Sequence, residues 1–228
     1  AAYCVEQKLD CATMPEGLRF ADLKLLAMDM DSTLITIECI DEIGDLAGKG
    51  AEISAITAQA MRGEIDYPES LRRRVVLLKG LGVEALQRVY DERLRLSPGA
   101  EDLIAACKRH GVKLLLVSGG FTFFTERLKQ RLGFDDTLSN ELEIRDGRLT
   151  GGLVGNIVGA RAKAARFREV ALGMQREHTV AIGDGANDLQ MMAEAGTSVA
   201  YRAKPVVKAK ASCALDYAGL DGVVHLFE

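Results

Sequence analysis

Two short apolar runs, each ending on acids, constrain this chain more than any other feature. Residues 25–34 read Leu-Leu-Ala-Met-Asp-Met-Asp-Ser-Thr-Leu, and residues 178–188 read His-Thr-Val-Ala-Ile-Gly-Asp-Gly-Ala-Asn-Asp. A short apolar run closed by turn-forming residues reads as a strand buried on both faces. Asp29 and Asp31 are two positions apart, and in an extended chain residues i and i+2 point to the same side. Both acids can therefore face one site at the carboxyl end of the strand, where open α/β sheets bind their ligands. Carboxylates held that close repel each other unless a cation lies between them or one keeps its proton. A hard divalent cation prefers oxygen ligands, and a retained proton makes a general acid. Taken alone, D-x-D-S-T leaves a strand followed by an acidic turn equally open.

The second run ends in Asp184 and Asp188 among glycines, and Gly183 and Gly185 suit backbone conformations other residues disfavour. Asp188 is placed to cap a following helix, with Leu189, Met192 and Ala193 on one face and Gly196 at its end. A third run, Lys113–Val117, leads into Ser118-Gly119-Gly120 and a helical pattern. A serine and bare backbone N–H groups at such a turn suit an anion.

Around these strands the chain alternates strand and helix: a helix near 100–109, strand 113–117, a helix over 121–132, strand 179–182, and short strands near 198–201 and 214–215. That alternation predicts a doubly wound, Rossmann-like parallel sheet with helices on both faces. Residues 37–95 are helical and amphipathic instead, so the expected organisation is an N-terminal arm (1–24), an α/β core (25–35 and 97–228) and an inserted helical cap (36–96). An insertion directly after the first acid-bearing strand is the natural place for a lid. Residues 140–154 alternate around Asp146-Gly147, which predicts a small β-hairpin beside the sheet.

Within the cap, Asp66 and Glu69 make a D-x-x-E capping pattern with Pro68 in the first turn. On the helix this starts, Leu71, Val75 and Leu78 form the apolar stripe. Arg74 stands between Leu71 and Leu78 and projects towards that side, while Arg72 and Arg73 meet water. An inward arginine needs an acceptor: a ligand carboxylate suits its fork, and a salt bridge within the cap or a snorkelling stem would serve as well. Farther along, Arg161 and Lys163 lie near a helix start, and spacing does not choose between them.

A mildly acidic chain of 228 residues, net charge −4 and 48% hydrophobic, is an ordinary soluble globular protein with no basic block for nucleic acid and no membrane-length apolar stretch. Its five cysteines are scattered, with no C-x-x-C pair, which predicts free thiols and a cytoplasmic setting. No signal peptide is visible, and a start at Ala1 suggests a trimmed or engineered N-terminus. His110, His178 and His225 sit at element edges and receive no catalytic role.

Together, Asp29–Leu34, Glu38–Glu42, Ser70–Val75, Val117–Phe121, Ala162-Lys163 and Gly183–Asp188 resemble, in order and spacing, the motifs of the haloacid dehalogenase superfamily of phosphatases. The resemblance runs over residues 23–226, and S-L-R-x-R-V points to the phosphoserine-hydrolysing branch. Met30 stands where that branch usually has phenylalanine, a tolerated apolar swap.

The resemblance implies a magnesium-dependent phosphatase that converts O-phospho-L-serine to L-serine and phosphate, the last step of serine biosynthesis. It makes Asp29 the nucleophile and Asp31 the acid and base, with Mg2+ on Asp29, Asp184 and the backbone carbonyl of Asp31 and Asp188 orienting that shell. Ser118, Gly119 and Lys163 would hold the phosphoryl group, Asn187 would bond within the site, and Arg74 and Glu38 would take the substrate carboxylate and ammonium. Tyr67 and Met61 would line the same pocket. The implied partner is a small molecule, bound by a monomer or homodimer. Transfer to another alcohol, another phosphomonoester, and a receiver-like signalling domain are the rival readings. The receiver is disfavoured by the helical insertion and by Asp31.

Overall fold

Four consecutive apolar residues with no turn former make the central strand, β1 (Leu25–Met28), and all four are buried. In a computed structural model of the chain, which describes residues 4, 6–14 and 16–227, β1 lies between two parallel partners. These are β2 (Lys113–Phe121) and β5 (Thr179–Gly183). Successive β1 side chains leave on opposite faces, as a strand's period of two requires. Leu26 and Met28 join one hydrophobic cluster, while Leu25 and Ala27 join the other.

The sheet continues through β3 (Asp136–Arg145), β4 (Arg148–Val154), β6 (Thr197–Tyr201) and β7 (Cys213–Leu215), in the order β4-β3-β2-β1-β5-β6-β7. Every neighbouring pair is parallel except β3 with β4. Helices Ala100–Arg109, Thr122–Leu132, Ala160–Val170 and Leu189–Glu194 connect these strands. The expected doubly wound α/β fold is the observed one.

Two local expectations are corrected. The hairpin does not stand beside the sheet; it is the sheet's edge. Leu115–Val117 pair in parallel with Asp136–Leu138, and only beyond Asn140 does β3 turn to β4 as an antiparallel partner. Asp146 and Gly147, at φ 50° and 73°, make the tight left-handed turn that D-G favours. Next, the helix after Asp188 buries Met191 and Met192, with Ala195 just beyond it, while Ala193 is exposed.

Between β1 and β2 the chain forms helices Cys39–Leu46, Gly50–Met61, Tyr67–Val76 and Glu84–Arg88. Asp66 caps the third as its pattern predicts, its Oδ1 accepting the Glu69 N–H at 2.8 Å. Leu71, Val75 and Leu78 are buried, Arg72 and Arg73 exposed, and Arg74 half-buried. Beyond this helix the segment is pinned to β4 by backbone bonds from Gly80 to Leu149 and from Leu149 to Leu81. Near the start of the chain, Asp10 accepts the N–H groups of Asp216, Tyr217 and Ala218 at 2.8, 3.0 and 2.8 Å, and Phe20 packs edge-on against His110 and Phe227. All five cysteines carry free thiols. Among the described residues no helix is long and apolar enough to cross a membrane.

Candidate active site

At the carboxyl end of β1 the backbone is extended at Asp29 and again at Asp31, with Met30 in a helical conformation between them, and it turns at Ser32, a non-glycine residue at φ 56°. The Asp29 N–H binds the Ile182 carbonyl of β5 at 3.0 Å, so the sheet itself fixes this acid. Its Oδ1 accepts the Met30 N–H at 2.8 Å. Asp31 Oδ1 accepts the Cys39 N–H at 3.3 Å, at the first turn of the helix that follows. The turn at Ser32 places its hydroxyl 2.6 Å from Glu38 Oε1, tying the first acid motif to the start of the helical insertion.

From the end of β5, Asp184 Oδ1 accepts the Thr33 hydroxyl at 3.3 Å. Gly183 is required by a close approach, since a Cβ there would stand 2.6 Å from the Asp188 carboxyl group. Asp188 departs from its expected cap: its carboxylate turns back, Oδ2 accepting the Gly185 N–H at 3.1 Å and Oδ1 accepting from Lys163. The buried Lys163 ammonium and the Gly185 N–H hold this carboxylate in place of the helix end, because charge-assisted bonds in a dry site are the stronger ones.

Lys163 is fully buried and Arg161 exposed, which settles what spacing leaves open. Its Nζ lies 2.8 Å from Asp29 Oδ1 and 2.7 Å from Asp188 Oδ1. Two of the three ammonium protons are thereby engaged.

At the end of β2, Ser118-Gly119-Gly120 is not a separate turn. The strand runs on to Phe121, with its register to β3 broken between Val117 and Phe121. Ser118 Oγ accepts the Gly120 N–H at 2.8 Å, which leaves the hydroxyl's own proton to donate elsewhere.

These strand ends meet in a cavity of about 530 Å³. Asp29, Asp31, Ser118, Gly119, Asp184 and Asn187 line its floor side, while Glu38, Met61, Tyr67 and Arg74 line it from the helical insertion. Lys163 does not line it; it lies behind Asp29. Arg74 makes no ion pair among the described residues, and its Nε rests 3.4 Å from the Ser70 carbonyl. The salt bridge weighed for it within the insertion is therefore not formed.

The crowding of acids shows in their titration. Burial, with Asp188 nearby, raises Asp29 well above the usual carboxylate range, against the pull of Lys163. Burial and Glu38 raise Asp31 to about 7. Burial, Asp188 and Glu38 raise Asp184 to about 6. Burial opposes the charge on Lys163, but Asp188 and Asp29 outweigh it and hold the ammonium charged. An additional cation is thus electrostatically welcome. Asp29, Asp184 and Asp188 offer carboxylate oxygens all within 4.8 Å of one another. This all-oxygen set fits a hard ion such as Mg2+. The Asp31 side chain is not part of that cluster, and both oxygens of Asp188 already hold protein hydrogen bonds.

Sequence reasoning passed over Asn140, Thr33 and Lys204. Asn140 is buried and bonds to Gly119 and Val158. Thr33 is bonded to Asp184, and Lys204 stands at the cavity mouth with its backbone N–H on the Asp184 carbonyl. Only Thr33 sat inside a motif; a polar residue in a strand carries no periodic signal of its role.

Comparison with known proteins agrees with this geometry. A family model described as haloacid dehalogenase-like hydrolase matches residues 26–193, and a second model with the same description matches residues 160–227. A phosphoserine phosphatase of Polaromonas sp. is 55% identical over 92% of this chain and 92% of its own. The unliganded crystal structure of a probable phosphoserine phosphatase from Vibrio cholerae superposes with a TM-score of 0.89 at 45% identity, covering 99% of this chain and 70% of that one. A substrate-bound phosphoserine phosphatase and a phospho-aspartyl intermediate analogue of phosphoserine phosphatase each superpose with a TM-score of 0.84 at 38% identity, over 90% of this chain and 99% of theirs.

Proposed function

We infer, from the premise that this chain belongs to the haloacid dehalogenase-like hydrolases and among them to the phosphoserine phosphatases, that it hydrolyses O-phospho-L-serine to L-serine and phosphate. The observation that carries this reading is the pairing across one cavity of a Lys163-clamped Asp29 with an Arg74 that makes no ion pair among the described residues. The first is a poised nucleophile, and the second is a free fork for the carboxylate of an amino-acid substrate.

Each group then has a task. Asp29 attacks phosphorus as the bond from phosphorus to the serine oxygen breaks. Asp31, protonated near neutrality, delivers its proton to that oxygen. L-Serine leaves and the phosphoryl group stays on Asp29, so one hard displacement becomes two easier ones. Asp31, now a carboxylate, takes a proton from water, whose oxygen attacks phosphorus. The bond from phosphorus to Asp29 breaks, phosphate departs, and both acids return to their starting forms. The Ser118 hydroxyl donates to a phosphoryl oxygen with the Gly119 backbone beside it, and Asn187 bonds within the same site. Lys163 stabilises the site from behind, holding Asp29 and Asp188 in place. Arg74 and Glu38 hold the carboxylate and ammonium of the substrate, and the helices over residues 39–88 act as a lid that excludes water.

The enzyme is magnesium-dependent. Asp29, Asp184 and the Asp31 backbone carbonyl would hold the ion, with Asp188 orienting that shell. When bound, Mg2+ neutralises charge on the phosphoryl oxygens. The place of this reaction is the last step of serine biosynthesis, in the cytoplasm, and the five free thiols support that compartment.

Phosphate release from O-phospho-L-serine and a panel of phosphomonoesters, with Mg2+ and with chelator, tests the reading. A strong, magnesium-dependent preference for phosphoserine is expected. Equal turnover of every monoester would sink the substrate assignment while leaving the phosphatase.

A further inference from the structure

The geometry points to a clamp on the Gly119 carbonyl, made by Asn140 from the core and Tyr67 from the lid, that positions the phosphate-binding Ser118–Gly120 segment. Asn140 is 2% exposed, and both polar atoms of its amide are bonded. Nδ2 donates to the Gly119 carbonyl at 2.7 Å, and Oδ1 accepts the Val158 N–H at 2.8 Å. The orientation is unambiguous, because a carbonyl only accepts and an N–H only donates. Tyr67 adds a second donor, its hydroxyl 2.9 Å from the same carbonyl.

What this does to the cradle follows from the rigidity of the peptide. A trans peptide is planar, with C=O and N–H pointing oppositely, so holding the Gly119 oxygen aims the Gly120 N–H. That N–H binds Ser118 Oγ at 2.8 Å. The clamp thus reaches Ser118 through one peptide plane and keeps its hydroxyl proton free for the phosphoryl group. The other arm of Asn140 secures Val158, next to Gly159, whose carbonyl accepts the Lys163 N–H at 3.0 Å. One buried amide therefore ties the Ser118 segment at the end of β2 to the loop that starts the Lys163 helix, far apart in sequence. Tyr67 makes the clamp complete only while the lid is down. Asn140 and Tyr67 are positioning residues, since each acts on the phosphoryl group through Gly119.

The clamp rests on reading the site as one that binds phosphoryl groups, not on the identity of the alcohol. It is tested with Asn140→Leu, Tyr67→Phe and the double variant, using p-nitrophenyl phosphate as substrate and inorganic phosphate as competitive inhibitor. Asn140→Leu should lower kcat/KM by about 100-fold, the scale of an ångström of misplacement, and weaken inhibition by phosphate on the order of 10-fold. Tyr67→Phe should weaken phosphate inhibition by about 3-fold, and the two effects should not multiply, because the residues share one acceptor. A purely structural role would lower Tm and leave phosphate inhibition of the folded enzyme unchanged, which would overturn the clamp. If Asn140→Leu does not fold, Tyr67→Phe decides: unchanged phosphate inhibition rejects the clamp. A wild-type enzyme that cleaves p-nitrophenyl phosphate but not phosphoserine would reject the proposed substrate and leave this test intact. One that releases phosphate from no monoester would reject the phosphatase reading first.

Discussion

The floor and the roof of the cavity are built by opposite rules. On the floor, Lys163 and Asp188 are fully buried and Asp29 nearly so, and the ammonium of Lys163 bridges two carboxylate oxygens at 2.7–2.8 Å. Asp29 follows strand β1, Asp188 lies in the turn after β5, and Lys163 comes from the helix Ala160–Val170; the bond from the Asp29 N–H to the Ile182 carbonyl fixes the first of these to the centre of the sheet. On the roof, Met61 is 70% exposed, Glu38 is exposed, and Arg74 has no ion-pair partner among the described residues. Among the described residues, side-chain hydrogen bonds join roof and floor at Ser32–Glu38 and Tyr67–Gly119. The difference follows from the tasks. Stabilising developing charge requires donors fixed in advance in a dry site, whereas admitting and releasing substrate requires a surface that can move and rebind.

The sharpest way to break this division is at Asp29, the proposed nucleophile. Asp29→Asn should reduce phosphate release by about four orders of magnitude or more with an unchanged circular dichroism spectrum; turnover within tenfold of wild type would refute the assignment. Next, Lys163→Met should damage folding as well as chemistry, because removing one partner of a buried ion cluster costs about 3–5 kcal/mol. A fall in Tm on the order of 10 °C is expected, and a Tm within 2 °C of wild type would show that the floor is not held by this lysine.

Arg74→Ala tests the roof alone. It should lower kcat/KM for phosphoserine by about 100-fold, the scale of a lost charge-assisted bidentate contact, while p-nitrophenyl phosphate is hydrolysed as before. Equal losses on both substrates would mean that roof and floor are not separable.

The smallest effect is a pH dependence of stability in chelator. Burial and Glu38 raise Asp31 to about 7 in the folded state, above the ordinary carboxylate value it has when unfolded. The folded protein therefore keeps a proton that the unfolded chain gives up, and stability is lost as pH rises through about 7. Asp31→Asn escapes that loss, so its Tm should gain on wild type between pH 5 and 8, by a few degrees. A gap that is constant or narrows with pH would contradict the raised titration.

How much of this was legible beforehand varies residue by residue. The start of the helix capped by Asp66 was readable, with the burial of Leu71 and Val75, because helical periodicity is local; Leu78 is buried too but lies beyond the helix, which ends at Val76. Asp188 was not: its spacing suits a cap, yet Lys163, 25 residues away, claims the carboxylate. Asn140 was read only as the edge of a hairpin, since nothing in its neighbourhood announces that Gly119 and Val158 will meet it.

By itself, then, the sequence determined that residues 25–28, 113–117 and 179–182 become strands, that Asp29, Asp31 and Asp184 stand at the carboxyl ends of two of them, and that helices intervene after β1. Those outcomes follow from short-range periodicity and chain geometry, which are written in consecutive residues. Only the tertiary structure decided that Lys163 rather than Arg161 goes inside, that the hairpin extends the sheet, and that Asn140 bonds to both Gly119 and Val158. Each of these depends on which distant groups are brought within hydrogen-bonding distance when the sheet closes its order. A buried polar group takes the best partner that packing offers, and packing is a property of the whole fold.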